Sequence, residues 1–386
     1  MLDRTNLKTE TKPDGIYFGM SEDDYLAIPR LSSSGIKTMC VSTLDFWFDS
    51  WMNASREPET ETPARALGKA YHKLILEGDD AFDALYAVPP EKADYPEAVD
   101  GHAALKEVCA DLGLKKGGKI AELCARIREK DPTIPLWFDI VEDFRRANGN
   151  KRYLAKSQWQ EIQKMRFVLQ RMPNIRSAFT GGFPEVSILW TQDGVPMKAR
   201  FDYLKPRGMS AGILDAKTFG NIMSKPVEEI PASEIARNKY FVQAVVHTAG
   251  LKAMNAMWSR DKMDCVQVVS GNCPDSAWLD AVLLAPKSPH FHFVFLQTGG
   301  VPNIIVRGFA EGTDYSGLSF QAHEYWRKGL SEFRYGVSMF KACMEKYGPD
   351  VPWIQDYGVR DLRDDEFPLW SLQQNLPILE EEAVNG

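Results

Sequence analysis

Asp202, Asp215 and Lys217 set an acid, an acid and a base on two consecutive strand patterns, a combination suited to cleaving a phosphodiester. The run Val195 to Leu204 alternates, so Lys198, Arg200 and Asp202 share one face while Met197, Ala199, Phe201 and Tyr203 share the other. The next apolar run, Ile213-Leu-Asp-Ala-Lys217, puts Asp215 and Lys217 on one face with Leu214 and Ala216 opposite. Two carboxylates can hold a hard divalent cation, which takes oxygen ligands, acidifies water and neutralises phosphate, while an ammonium stabilises the developing charge. Upstream, Glu185 to Trp190 reads as the preceding strand and Gln192-Asp-Gly194 as its turn, so Glu185 can join the same site. The alternative is a polar strand face with ordinary salt bridges, because an acid-x-Lys pair is common by itself.

The elements that must position these groups are legible on either side. Pro63 introduces a helix from Ala64 to Glu77 that ends at Gly78, and on it Gly68 and His72 share a face, leaving room beside an imidazole. His72 reads either as a metal ligand or as a hydrogen-bonded structural histidine. A helix from Tyr153 to Met172 precedes the strand cluster, and a long helix from Ser233 to Trp258 follows it. On that long helix Tyr240, Gln243 and His247 align on one face, either to contact DNA, Tyr240 and Gln243 above all, or as a half-exposed stripe. Strand patterns then follow at Cys265–Ser270, Asp280–Ala285, His292–Gln297 and Ile304–Phe309, and a helix from Phe320 to Tyr347 closes the chain before an aromatic, acidic tail. The serine-rich Leu31–Lys37 stretch caps an earlier helix.

Between Gly101 and Asp131 lies a separate pattern of two short helices. Leu105, Cys109 and Leu112 form one stripe, Ile120, Leu123, Cys124 and Ile127 another, and Leu114-Lys-Lys-Gly-Gly-Lys119 joins them. Proline-rich segments flank it, as expected of an insertion.

Composition sets the outer limits. The 386 residues carry 53 acids and 46 bases, a net charge of −7, which argues against indiscriminate nucleic-acid binding but not against a local basic groove. No apolar run approaches the ~18 residues of a membrane span, and the first residues lack the apolar core of a signal peptide, so a cytoplasmic location without membrane contact is expected. The six cysteines show no C-x-x-C pair and read as reduced core thiols.

The order His72, Glu185, Asp202, Asp215-Ala-Lys217 and a helix bearing Gln243 resembles the RecE-type exonucleases, or exonuclease VIII, of the PD-(D/E)XK nuclease superfamily. The resemblance spans about residues 15 to 310 and is sharpest in Leu67-Gly-Lys-Ala-Tyr-His72 and in the Asp202 to Lys217 segment. It implies an α/β (α+β) fold, a mixed central sheet flanked by helices, with a small helical insertion. The implied domains are a helical part of the nuclease domain at 1–100, the insertion at 101–131, the nuclease core at 132–310 and a C-terminal helix with its tail at 311–386. It implies Mg²⁺, with Mn²⁺ substituting, held by Asp202, Asp215, the Ala216 carbonyl and His72, with Lys217 stabilising the transition state and Glu185 as a more variable acid. Phe201 replaces the proline of the name motif. The helix motif is Gln-x-x-x-Tyr in related nucleases, whereas His247 follows Gln243 here, so Tyr240 stands in from the preceding turn. The cysteine set of iron-sulfur relatives is missing, so no cluster is expected.

The Gly101–Asp131 pattern resembles a SAP-like DNA-binding motif, which implies phosphate contacts from Lys115, Lys116, Lys119 and Arg126; a solvated hairpin packed on the main domain is the alternative. Taken together, the resemblances imply a 5′ to 3′ exonuclease on linear duplex DNA ends that leaves 3′ single strands for phage-type recombination. A homo-oligomer, a single-strand annealing partner and a phage or prophage setting in a bacterial host are implied with it. An endonuclease or single-strand nuclease of the same superfamily, or a non-catalytic DNA-binding protein keeping the fold, are the rival readings.

Overall fold

The computed structural model describes residues 12–57, 62–220, 226–260, 265–272, 274–309, 320–359 and 361–363. The polar lead at 1–11, Cys273 and the acidic stretches at 364–366 and 380–382 lie outside these residues. The chain opens with β1 (Gly15–Phe18), α1 (Glu22–Ala27), α2 (Ser33–Met39) and α3 (Thr43–Asp49). Next come α4 (Pro63–Leu85), β2 (Tyr86–Ala87), α5 (His102–Asp111), α6 (Ile120–Lys130), α7 (Trp137–Asn148) and β3 (Arg152–Tyr153). Helices α8 (Lys156–Gln170) and α9 (Pro173–Ala178) precede three long strands, β4 (Phe183–Gln192), β5 (Val195–Arg207) and β6 (Ser210–Gly220). The last third holds α10 (Ile230–Arg237), α11 (Tyr240–Arg260), β7 (Val266–Val268), α12 (Ser276–Leu283), β8 (His290–Thr298), β9 (Ile304–Phe309) and α13 (Phe320–Tyr347).

Seven strands form one mixed sheet in the order β7-β1-β4-β5-β6-β8-β9, antiparallel except where β1 meets β7 and β6 meets β8. Helices cover both faces, giving the mixed α/β architecture expected. On one face the main core joins Trp190, Phe201, Phe291 and Phe293 to α11 and α13 through Phe241, Val245, Phe333 and Phe340. On the other, Tyr203, Leu214, Ala216 and Val294 pack against α4 and α8 through Tyr71, Leu74, Ile162 and Met165. The β4–β5 hairpin turns on Asp193 and Gly194, both at positive φ (52° and 83°), as a two-residue turn with primed twist requires.

Several local expectations change. Of the expected strand Asp280–Ala285, residues 280–283 are helical, the end of α12, because the Asp275 side chain accepts from the Trp278 N–H and Leu279, Val282 and Leu283 bury one helical stripe. The expected long helix from Ser233 divides in two at Lys239, whose φ of 51° is left-handed. Gly78 (φ 85°) breaks α4 as expected, but the chain resumes a helix to Leu85. Strict alternation in β5 also fails: Phe201 and Leu204 both pack in the main core while Tyr203 packs on the opposite face. The cause is a gap in the β4–β5 ladder, which pairs Pro184 with Tyr203 and Val186 with Phe201 but skips Glu185 and Asp202 between them. Glu185 sits there at φ 55°, a conformation costing an ordinary residue roughly 1 kcal/mol or more.

The inserted segment has a core of its own. Leu105, Cys109, Leu123, Cys124, Ile127 and Leu136 cluster together, with Val99 and Phe138 packed against them. The unit therefore takes in the start of α7 and a bridge from Val99 to Leu136, beyond the helix pair read from sequence. Among the described residues Cys40, Cys109, Cys124 and Cys343 are free thiols, the last three buried, and no helix is long and apolar enough to cross a membrane.

Candidate active site

The site exists because β5 and β6 part company. Their pairing runs from Arg207↔Ser210 to Tyr203↔Leu214 and stops, after which β5 stays with β4 and β6 stays with β8. The fork leaves polar backbone facing a notch. The Ala216 N–H donates to Asp202 Oδ2 at 2.7 Å, so the carboxylate replaces the strand partner that this buried amide has lost. The Ala216 carbonyl meets the His72 ring. Helix α4 brings the imidazole in by passing close over β6: a Cβ on Gly68 would touch Thr218 Oγ1 at 3.6 Å, and the Lys69–Glu22 ion pair at 3.1 Å ties α4 to α1. His72 Nδ1 then stands 3.7 Å from Asp202 Oδ2.

Asp215 and Lys217 project from β6 toward α11. Asp215 is 1% exposed; its Oδ1 accepts from Gln243 Nε2 at 2.7 Å and its Oδ2 lies 2.5 Å from Lys217 Nζ. The Lys217 ammonium also sits 5.1 Å from the centre of the Tyr240 ring, a cation–π contact. Gln243 and Tyr240 are thus both brought to the site. His247 is not: one turn further along the same helix face it is 3% exposed, wedged between Phe201 and Phe291, with Nδ1 unpartnered among the described residues. Burial drives its pKa down to about 3, so it is a neutral core residue.

Glu185 reaches the notch from the interrupted ladder and pairs with Arg200, which also donates to the Met20 carbonyl at 2.9 Å and to Ser187 Oγ at 3.2 Å. Lys198 is 6% exposed and donates to the carbonyls of Tyr25, Leu26 and Ile28 at the end of α1. Of the three polar residues on that strand face, Asp202 alone is free of a scaffold task outside the notch. Lys37 is a site residue that sequence reasoning missed. Its ammonium donates to the Asn238 carbonyl at 3.2 Å and lies 5.6 Å from the centre of the Tyr240 ring, the ring that also meets Lys217. Burial, then Lys217, lower its pKa to about 8. No local pattern marks it, because the Asn238 and Tyr240 it meets are distant in the chain.

Charge in the notch is unbalanced. Burial, then the Asp202 charge, raises Glu185; burial raises Asp202; and burial lifts Asp215 to about 6 with Asp202 adding and Lys217 opposing. Lys217 is held above its ordinary value, because Asp215 and Asp202 outweigh its own burial, while burial and Lys217 lower His72. Burial is the main cause of all three shifts, and a hard cation bound among these carboxyls would favour their ionised form. Among the described residues no three His, Cys, Asp or Glu side chains converge tightly enough to make a metal site alone. Two carboxylates, a backbone carbonyl and one imidazole are the donor set available, and its oxygen-rich character fits Mg²⁺ or Mn²⁺.

The inserted unit packs around its own core. Lys115, Lys116 and Lys119 are exposed at its glycine turn, whereas Arg126 folds back to donate to the carbonyls of Lys115 and Gly117 and pairs with Glu122 at 3.8 Å. Arg126 is a staple of the turn.

No protein-family model matches the chain, and no curated protein matches it. Among solved structures it is similar to a "putative exonuclease" from Eubacterium rectale, at 13% identity and a TM-score of 0.43, over 92% of this chain and 99% of that one. That likeness is too low to bear on the site.

Proposed function

We propose that this chain is a divalent-metal-dependent deoxyribonuclease, acting on linear duplex DNA from the 5′ end and leaving a 3′ single strand for recombination. The observation that carries the chemistry is the β5–β6 fork, which gathers Asp202, Asp215, the Ala216 carbonyl, His72 and Lys217 in one notch. Mg²⁺ held by these oxygens and the imidazole would supply Lewis acidity and charge neutralisation at the phosphodiester. The chain's own groups do the rest. Gln243 fixes the orientation of Asp215, Lys217 offers an ammonium to the charge that builds on phosphate oxygen, and Tyr240 holds that ammonium in place. Polarity, recombination, assembly into a homo-oligomer, a single-strand annealing partner and the cytoplasmic, phage-encoded setting rest on the resemblance to RecE-type exonucleases.

Lys115, Lys116 and Lys119 on the inserted unit are proposed as sequence-independent phosphate contacts. The test is a time course on 5′- and 3′-end-labelled linear duplex with Mg²⁺, Mn²⁺, Ca²⁺ or excess chelator, beside closed circular duplex. Early release of the 5′ label with Mg²⁺ or Mn²⁺ only, and an intact circle, is expected. Full activity in chelator would remove the metal reading, and a nicked circle would convert the enzyme to an endonuclease.

A further inference from the structure

Helix α13 turns its apolar side inward and an unusually basic side outward. Trp326, Phe333, Val337 and Phe340 are buried in the main core. Gly329 lets the helix press on α11, where a Cβ would meet the Phe241 carbonyl at 2.9 Å, and Gly336 does the same against Ile36 of α2 at 2.8 Å. These are the two helices that deliver Tyr240, Gln243 and Lys37 to the notch, so α13 is fixed to the frame of the site. Its outward positions from Arg327 to Lys341 carry four bases, Arg327, Lys328, Arg334 and Lys341; the remaining exposed positions are Ser331, Ser338 and Tyr335, with no acid among them. Glu332, within the same span, is turned aside to pair with Lys239 at 3.1 Å.

A solvated helix face in a protein of net charge −7 would ordinarily mix signs, as α7 does with its Arg145–Glu142 and Arg146–Asp143 pairs. Of these four bases only Arg327 is ion-paired among the described residues, to Glu324 at 3.3 Å; Lys341 has the exposed Glu345 one turn on but makes no ion pair with it. The spacing is regular as well. Arg327, Arg334 and Lys341 recur every seven residues, about 10.5 Å of helix, so they stand in one line along α13. Lys328 Nζ lies 5.8 Å from the ring of Phe241, the residue that follows Tyr240 on α11.

We propose that the outward face of α13 is a track for the sugar-phosphate backbone of duplex DNA, steering and holding it next to the notch. The partner class rests on the proposed nuclease function; the track itself rests on the charge pattern. Serine hydroxyls interleaved with the bases suit phosphate, and contacts of this kind position a duplex without reading its sequence. An anionic membrane fits less well, because the apolar side of α13 is already buried and, among the described residues, its exposed side offers only the rings of Tyr325 and Tyr335, both tipped with a hydroxyl.

The experiment uses the full chain with Lys328→Gln, Arg334→Gln and Lys341→Gln combined, and Arg334→Gln alone as a milder companion. Affinity for a linear duplex is measured by fluorescence anisotropy from 50 to 200 mM salt, in an Asp202→Asn background so that the probe survives. Removal of three phosphate contacts should make the slope of log affinity against log salt shallower by about 2.7, and by about 0.9 for the single variant. Over that fourfold range of salt, the parent should lose roughly 40-fold more affinity than the triple variant. An unchanged slope in a triple variant with parental thermal unfolding overturns the track, while end-labelled duplex still degraded by the unsubstituted protein leaves the nuclease reading standing. A shallower slope with no cleavage by the unsubstituted protein keeps the track and removes the nuclease. Weakened binding of the triple variant to phosphatidylserine-containing vesicles with an unaltered DNA slope assigns the stripe to membrane and overturns the proposal.

Discussion

Asp202 has two separable tasks, and two substitutions part them. Its Oδ2 accepts the Ala216 N–H at 2.7 Å in a position where Ala216 is fully buried, and its negative charge faces Asp215 and Glu185. Asp202→Asn retains an oxygen for the Ala216 amide and deletes the charge; Asp202→Ala deletes both. An orphaned buried N–H costs about 1–3 kcal/mol, so the alanine variant should be less stable than the parent by about that amount. The asparagine variant should be within about 0.5 kcal/mol of the parent or above it, because a buried carboxylate that disfavours its neighbours' ionisation has gone. Activity should fall alike in both. If the charge helps hold the cation that carries several kcal/mol of transition-state stabilisation, reductions of roughly a thousandfold are expected. Urea denaturation without metal gives the stability order, and single-turnover cleavage of labelled duplex gives the rate. Equal destabilisation of the two variants would refute the amide-acceptor role, and an asparagine variant retaining more than about a tenth of the rate would refute the metal-ligand role.

Asp215 makes a pH prediction whose sign runs opposite to the usual acid. Burial first, then Asp202, lifts its folded pKa from 3.8 to about 6, so the folded chain binds the proton more tightly than the unfolded one. The Asp215 contribution to metal-free stability should therefore fall as pH rises from about 4 to about 6, by up to about 3 kcal/mol, and Asp215→Asn should lose that share of the fall, while Asp202 and Glu185, also raised, keep theirs; a constant difference between the two proteins across pH 4 to 7 in chelator contradicts it. His247→Leu should leave cleavage within about twofold of the parent and stability within about 1.5 kcal/mol, since a neutral imidazole with an unpartnered Nδ1 is exchanged for an apolar side chain in an aromatic pocket; a hundredfold drop in rate with an unchanged melting curve would restore His247 to the site. Replacing Lys115, Lys116 and Lys119 by alanine should flatten the salt slope of duplex binding by about 0.9 for each phosphate no longer bound, whereas Arg126→Ala should loosen the glycine turn and lower the insertion's own stability; an unchanged slope makes the insertion a packing unit.

Strands β4 to β9 were legible because period-two alternation and turn chemistry are local, whereas β1, β2 and β3 are too short to show a period and were not read. The Asp193-Gly194 turn, β9 and the presence of α13 follow from neighbours in sequence. The failures share a cause in tertiary contact. Asp280 to Ala285 offered a short apolar run that suits either element, and Asp275 as a cap decided for helix. Tyr203 left the face that alternation assigned it because the β4–β5 ladder skips a pair, and nothing in the run from Val195 to Leu204 signals a skip. At the site, His72, Asp202, Asp215, Lys217, Tyr240 and Gln243 were nominated from type and spacing and do converge. His247 shared their helix face yet sits one turn deeper, where the sheet closes over it. Periodicity reports direction around a helix and says nothing of depth along it. Arg126 and Lys37 show the converse: a base nominated for phosphate is consumed by two carbonyls, and a base without any local signal lies at the notch.

The fork also explains why this part of the chain tolerates so much that is unfavourable. A continuous ladder from β4 through β6 would satisfy the Ala216 amide and carbonyl, leave Glu185 in extended conformation and keep three carboxyls in solvent. Instead the ladder skips Glu185 and Asp202 on one side and ends at Tyr203↔Leu214 on the other, so both irregularities fall around Asp202. Each has a local cost: a left-handed glutamate, a missing backbone pair, and acids buried beside one another. Each also adds one donor to the same small volume, and Arg200, Gln243 and Tyr240 then hold those donors in place from β5 and α11. Arg200 and Lys198 anchor the strand to α1, so the irregular stretch is braced immediately before it begins. Strain concentrated at one point and braced on its flanks is difficult to account for as packing alone, and a cation that recovers the buried charge gives it a physical reason.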